Sequence, residues 1–118
     1  MTPAARISAA IEILDAILAG DPAERALTNW GRRSRFAGSG DRQAVRDHVF
    51  SALRCRRSFA VLGGGETGRG LVIGRLRAAG TAPEDLFTGE GHAPPPLTSA
   101  ETQPARPMTE AEALDCPD

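Results

Sequence analysis

One helical pattern, over residues 38–57, constrains the fold of this chain more than any other stretch. Its apolar residues Val45, Val49, Ala52 and Leu53 recur at helical spacing and form one narrow stripe. The other positions are mostly charged, and the stretch ends in an arginine cluster. Such a helix must pack against neighbouring helices on one face and present guanidinium groups to an anionic partner on the other.

Residues that begin and end helices divide the rest of the chain into short segments. Gly20 and the Gly63–Gly65 run are predicted stops, so the helix that begins near residue 39 is expected to continue through Leu62. A side-chain oxygen of Ser, Thr or Asp at the residue before a helix accepts N–H groups of its first turn. The predicted caps are Thr2, Asp21, Ser39 or Asp41, and Thr67.

The composition favours helices over a sheet. Apolar residues make up 41% of the 118 residues but aromatic residues only 4%, so the core consists mainly of Leu, Ile, Val and Ala. Trp30 is the only tryptophan, and we interpret it as a core anchor. The length suits one small domain. These observations predict an all-α helical bundle.

The character of the chain changes after residue 88. Pro94–Pro96 favours an extended polyproline conformation. Two Thr-x-x-Glu sequences, at Thr98 and Thr109, have the form of a capping box and predict two short helical turns. We therefore divide the chain into a helical domain, residues 1–88, and a Pro-rich connector, residues 89–118, that is expected to be loose and to add little stability.

The net charge of −1 conceals an uneven distribution. Residues 1–80 carry 13 arginines against 7 acidic residues, and residues 81–118 carry 1 arginine against 8 acidic residues. A basic part followed by an acidic one indicates an anionic partner for the first. All 14 basic residues are arginine, whose planar guanidinium group matches a phosphate bidentately, which the ammonium group of lysine does not. Coding bias also explains the absence of lysine.

The arginines between residues 25 and 57 are the main functional signal. Such a surface suits a nucleic-acid backbone, whose binding is strong, salt-dependent and weakly sequence-specific. The alternative is a solvated face that forms ion pairs with the carboxylates of a neighbouring domain. The candidate RNA-binding residues are Arg32, Arg33, Arg35, Arg42, Arg46, Arg54, Arg56 and Arg57.

No catalytic, cofactor-binding or metal-binding motif is convincing. Residues 63–68 match Gly-x-Gly-x-x-Gly, but a dinucleotide site needs a strand before that run and a second one after it, so we interpret the run as an interhelical loop. Cys116, followed by proline, is similar to a methyltransferase nucleophile but is interpreted as a linker residue. His48 and His92 are not spaced with other metal ligands.

Neither a membrane span nor a signal peptide is predicted. No apolar run approaches the roughly 20 residues that cross a bilayer, and no basic region precedes an apolar one at the N-terminus. Two cysteines are too few for the disulfide framework of a small secreted domain. The expected location is the cytoplasm.

Several stretches of the chain carry a resemblance to a known family: Arg6, Ala9-Ala10, Leu14, Ile17-Leu18, Gly20, Ala26-Leu27, Gly40-Asp41-Arg42, Val45, Val49, Leu53-Arg54 and Arg57. Together they resemble the NusB-like N-terminal domain of the RsmB/Sun family of ribosomal RNA cytosine-C5 methyltransferases. Residues 30–41 and 87–92 are most similar to its alphaproteobacterial branch, while Phe50-Ser51-Ala52 replaces a Tyr-Gly-Val common in relatives.

The resemblance implies a NusB-like bundle that helps to hold ribosomal RNA. Residues 114–118 would then lead into a catalytic domain that binds S-adenosylmethionine and is expected to be missing here. This chain by itself would be non-catalytic and hold no cofactor, and its partners would be ribosomal RNA and the catalytic domain in cis. The alternatives are a free-standing NusB-like factor of antitermination or ribosome assembly, and a protein-docking module.

Overall fold

A computed structural model describes residues 1–115, and every regular element in that range is helical. The prediction of an all-α fold is confirmed. Residues 116–118, including the predicted linker Cys116, lie outside the described range. None of the described helices has both the length and the apolar character that crossing a bilayer requires.

The helices are α1 (Pro3–Leu18), α2 (Ala23–Arg33), α3 (Ser39–Arg54), α4 (Arg56–Gly63), α5 (Gly68–Ala78) and α6 (Glu110–Leu114), with a 3-10 turn at Pro83–Asp85.

Helix α1 lies at the centre of the bundle and packs against α2, α3 and α5. Its residues Ile7, Ile13 and Leu14 are buried, as expected for the apolar face of an amphipathic helix. Trp30 of α2 is only 5% exposed and belongs to the same core. The interpretation of Trp30 as a core anchor is confirmed.

The predicted continuation of α3 to Leu62 is wrong. Helix α3 ends at Arg54, and Cys55 has the non-helical angles φ −109° and ψ 33° before α4 begins. On one straight helix, Val61 would lie about 160° around the axis from Val45. Both are buried. The break at Cys55 therefore turns α4 so that its own apolar residues reach the core.

The glycine-rich run is confirmed as the connection between α4 and α5. Glycines within these two helices also allow their backbones to come into contact. A Cβ atom on Gly74 would lie 2.0 Å from the carbonyl oxygen of Phe59, and one on Gly63 would lie 1.6 Å from that of Gly70. No side chain fits at such distances. Glycines that weaken an isolated helix are thus required here for close backbone contact.

Two of the four caps predicted for α1, α2, α3 and α5 are formed. The hydroxyl of Thr2 accepts the N–H of Ala5 at 3.1 Å, and that of Thr67 accepts the N–H of Gly70 at 2.9 Å. The prediction for Asp21 is wrong, since the residue before α2 is Pro22 and no side chain caps that helix.

The prediction of Ser39 or Asp41 as the N-cap of α3 is wrong, because Gly38 precedes the helix and both residues lie within its first turn. The carboxylate of Asp41 accepts the backbone N–H of Gly38 at 3.0 Å and the Nε–H of Arg6 at 2.9 Å. These hydrogen bonds, with that of Arg6 the larger cause, lower the pKa of Asp41. Asp41 therefore ties α3 to α1 instead of serving as a simple N-cap.

Residues 89–115 lie against the bundle rather than extending away from it, which corrects the expectation of a loose arm. Pro94 is buried, and Glu101 forms an ion pair with Arg69 of α5 at 2.6 Å. The guanidinium of Arg69 also stacks over the buried ring of Phe87, 4.8 Å from its centre. Helix α6 packs on α4, where Asp115 accepts the backbone N–H of Arg57 at 2.6 Å.

Candidate nucleic-acid interface

The predicted arginines do not form one continuous surface. Arg42 lies in the first turn of α3 and Arg54 is its last residue, and twelve residues of helix separate them by roughly 18 Å. Arg32, Arg33 and Arg35 lie at the end of α2 and in the turn after it. The set is therefore spread from the α2–α3 turn along α3, with Arg46 near its middle, to the start of α4.

Arg42 has a structural role in the turn between α2 and α3. Its Nε donates to the carbonyl oxygen of Ala37 at 3.1 Å, and its Nη2 donates to those of Gly31 at 3.1 Å and Ser34 at 3.0 Å. A Cβ on Gly31 would lie 2.6 Å from Nη1, so glycine leaves room for the guanidinium. The Nε and Nη2 donors of Arg42 are therefore engaged within the fold.

Three other members of the set form exposed ion pairs. Arg46 makes a bidentate pair with Glu24 at 2.6 and 3.2 Å, and its hydrogen bonds are the main cause that lowers the pKa of Glu24. Exposed pairs of this kind contribute little to stability, so a phosphate can compete for the arginine at low cost. The other two pairs are Arg33 with Glu12, at 3.0 Å, and Arg56 with Glu66.

The remaining four predicted residues have exposed side chains. Within residues 1–115, none of these four guanidinium groups has a carboxylate partner. They are therefore the members of the predicted set best able to meet an anionic partner. They are Arg32, Arg35, Arg54 and Arg57.

Arg54 opens onto a surface groove between α3 and α5, with a volume of about 560 Å³. Phe50, one helical turn before Arg54, lines the groove and is 36% exposed. The guanidinium of Arg46 stacks over the Phe50 ring, 4.8 Å from its centre. We call this the α3–α5 groove; its lining residues are Asp47, Phe50, Ser51, Arg54 and Arg75.

Arg75 is a groove residue that the sequence did not predict. Its Nε donates to Nδ1 of His48 at 3.0 Å, and its Nη1 donates to the hydroxyl of Ser51. Neither acceptor is a carboxylate, and burial, followed by the charge of Arg75, lowers the pKa of His48. Arg75 thus adds a positive charge that no carboxylate contact cancels among residues 1–115. Only the packing of α5 on α3 brings it there, and no local motif around residue 75 signals it.

The Gly-x-Gly-x-x-Gly match has no room for a phosphate at the start of α5. The carboxylate of Asp15 accepts the N–H of Gly68 at 2.9 Å, and Thr67 accepts the N–H of Gly70. A phosphate loop needs these N–H groups free to bind its anion. The geometry agrees with an interhelical loop.

Among residues 1–115, no group of three or more His, Cys, Asp or Glu side chains is arranged to hold a metal ion.

No protein-family model, curated protein or solved structure detectably matches the chain. The chemistry of the α3–α5 groove is therefore the main basis for a functional interpretation.

Proposed function

We propose that this chain is an RNA-binding module and that the α3–α5 groove is its contact surface. One observation carries the proposal: an exposed aromatic ring, Phe50, lies between Arg46 and Arg54, with Arg75 in the same groove. Guanidinium groups bind phosphate oxygens, and aromatic rings stack on bases. Together they are typical of surfaces that bind RNA.

The resemblance to the NusB-like domain supports a more specific form of the proposal. The RNA would be ribosomal, and the module would serve a cytoplasmic S-adenosylmethionine-dependent cytosine-C5 methyltransferase of the RsmB type. The catalytic domain, acting in cis, would supply the activated cysteine, the base pocket and the cofactor site. The residues described here would bind and orient the RNA.

The binding proposal is tested by the salt dependence of affinity for a labelled ribosomal RNA hairpin. Removing one arginine that binds a phosphate should flatten the log–log slope by roughly 0.7–0.9. Arg54→Gln should show this change, and Arg54→Lys should restore the slope because it restores the charge. Arg33→Gln is the matched control, since Arg33 is also exposed but does not line the α3–α5 groove.

Equal slopes and equal affinities for wild type, Arg54→Gln and Arg33→Gln would reject the groove as the RNA contact. Absence of any binding at low salt would reject RNA binding altogether and favour the protein-docking alternative.

The proposed division of roles has its own test. The 118-residue chain is expected to bind no S-adenosylmethionine by calorimetry and to transfer no tritiated methyl group to ribosomal RNA. Fusion to an RsmB-type catalytic domain should yield activity, and Arg54→Gln in that fusion should raise KM more than it lowers kcat, because the arginine serves binding. Cofactor binding by the chain alone would contradict the division.

A further inference from the structure

We infer that the α3–α5 groove takes an unpaired nucleotide, with its base stacked on Phe50 and its phosphate against Arg54. The inference depends on the proposed RNA-binding function and narrows it to single-stranded segments. Double-stranded RNA offers phosphates and 2′-hydroxyls but keeps its base faces stacked within the helix, so an aromatic platform serves only an unpaired base.

The first observation is the exposure of Phe50 in a chain that has four phenylalanines and one tryptophan. Trp30, Phe59 and Phe87 are buried in the core, whereas Phe50 and Phe36 are exposed. Phe36 lies in a turn, and within the described residues no guanidinium stacks on it. Phe50 instead projects from a regular helix, which holds its backbone in one place.

The second observation is that Phe50 already takes part in a stack. The guanidinium of Arg46 lies 4.8 Å from the ring centre, and Glu24 holds that guanidinium by two hydrogen bonds. A cation over an aromatic ring favours a fixed ring orientation. A base that stacks on Phe50 therefore extends a cation–π contact that is already present before binding.

The third observation is the charge pattern beside the ring. Arg54 follows Phe50 by four residues, a spacing that places two side chains next to each other on a helix. Arg75 lines the same groove, while the one carboxylate there, Asp47, accepts a hydrogen bond from Gln43 at 2.8 Å. Two guanidinium groups against one carboxylate suit a single phosphate better than the row of phosphates along a duplex.

Binding of two RNA probes, measured by fluorescence anisotropy, tests the inference. One probe is an oligonucleotide without self-complementarity, and the other is the same strand annealed to its complement. Phe50→Ala should weaken binding of the single strand by roughly fivefold to a hundredfold, the range for loss of one stacked base, and leave duplex binding unchanged. Phe50→Tyr should retain single-strand affinity, and Phe36→Ala is the matched control with no change.

A second measurement uses the wild-type chain and needs no variant to fold. The ring protons of Phe50 should shift upfield in NMR spectra when the single strand is added, because a stacked base shields them, and those of Phe36 should not. Unshifted Phe50 protons in a saturated complex, or a single-strand affinity that Phe50→Ala leaves intact, would overturn the inference.

These outcomes are distinct from failure of the proposed function. If the groove binds RNA without stacking a base, Arg54→Gln weakens both probes equally and Phe50→Ala weakens neither. If the chain does not bind RNA, the wild type binds neither probe at low salt.

Discussion

The carboxylate of Asp15, near the end of α1, accepts the backbone N–H of Gly68 at 2.9 Å and fixes the start of α5 against α1. The contact needs a residue without a side chain, because a Cβ on Gly68 would lie 2.5 Å from the carbonyl oxygen of Ile11. Close backbone approach, rather than phosphate binding, therefore explains why glycines accumulate at this end of α5.

Gly74→Ala is expected to destabilise the fold strongly. The added Cβ would lie 2.0 Å from the carbonyl oxygen of Phe59, so α4 and α5 would have to separate. We expect urea unfolding to show a decrease in the free energy of unfolding of about 3 kcal/mol or more, at the upper end of the usual cost of overpacking.

Gly40→Ala is the control for that substitution. Gly40 lies within α3, and nothing lies within 4 Å of the position of a Cβ there. It should stabilise the chain by about 0.5–1 kcal/mol through the lower entropy of the unfolded state. If Gly74→Ala leaves the free energy of unfolding unchanged or raises it as Gly40→Ala does, the close-contact interpretation of Gly74 is wrong.

Arg42→Ala is expected to destabilise the fold rather than act on binding alone. Removal of the guanidinium leaves the carbonyl oxygens of Gly31, Ser34 and Ala37 without its hydrogen bonds. Because hydrogen bonds from a charged group stabilise a fold by about 1.5–3 kcal/mol, we expect the free energy of unfolding to fall by about that amount. Thermal and urea unfolding measure this loss, and the exposed Arg32→Ala should leave stability nearly unchanged. Equal midpoints for both variants would contradict a structural role for Arg42.

Glu101 should make stability depend on acid pH. Hydrogen bonds from Arg69 are the main cause that lowers the pKa of Glu101 from 4.5 to about 2. A carboxylate with a lower pKa in the folded state stabilises the fold above the pKa of the unfolded chain, and this contribution is lost as pH falls from about 4.5 toward 2.

Glu101→Gln should therefore reduce stability at neutral pH, and its difference from wild type should shrink between pH 4.5 and 2. Urea unfolding across this range provides the measurement, with the exposed Glu90→Gln as control. A difference that is constant with pH would mean that the pair with Arg69 does not form in solution.

Truncation tests whether the segment after residue 88 belongs to the fold. Its Pro-rich sequence predicts that removing residues 94–118 leaves the thermal midpoint nearly unchanged, but the tertiary structure predicts a decrease. A chain ending at Ala93 lacks buried Pro94 and the partner of Arg69, whereas one ending at Gln103 retains both. We expect the shorter chain to unfold at a clearly lower temperature, and equal midpoints would restore the view of a loose connector.

The helix boundaries that rest on local chemistry could be predicted from the sequence. Thr2, Thr67 and Thr109 each accept an N–H three residues ahead, so the interacting groups are adjacent in the chain. The stripe of Val45 and Val49 is likewise buried, because helical periodicity alone defines that face.

The candidate site could be predicted only in part, because its arginines acquire their roles from partners distant in sequence. Arg46 donates a hydrogen bond to Glu24, which is 22 residues away in the sequence, and Arg75 donates one to His48, which is 27 residues away. The sequence by itself determined the helical class, the capped starts of α1, α5 and α6, and the basic character of the first 80 residues. Tertiary packing decided the break at Cys55, the internal use of Arg42 and the placement of Arg75 in the groove, since each depends on which helices meet and at what angle.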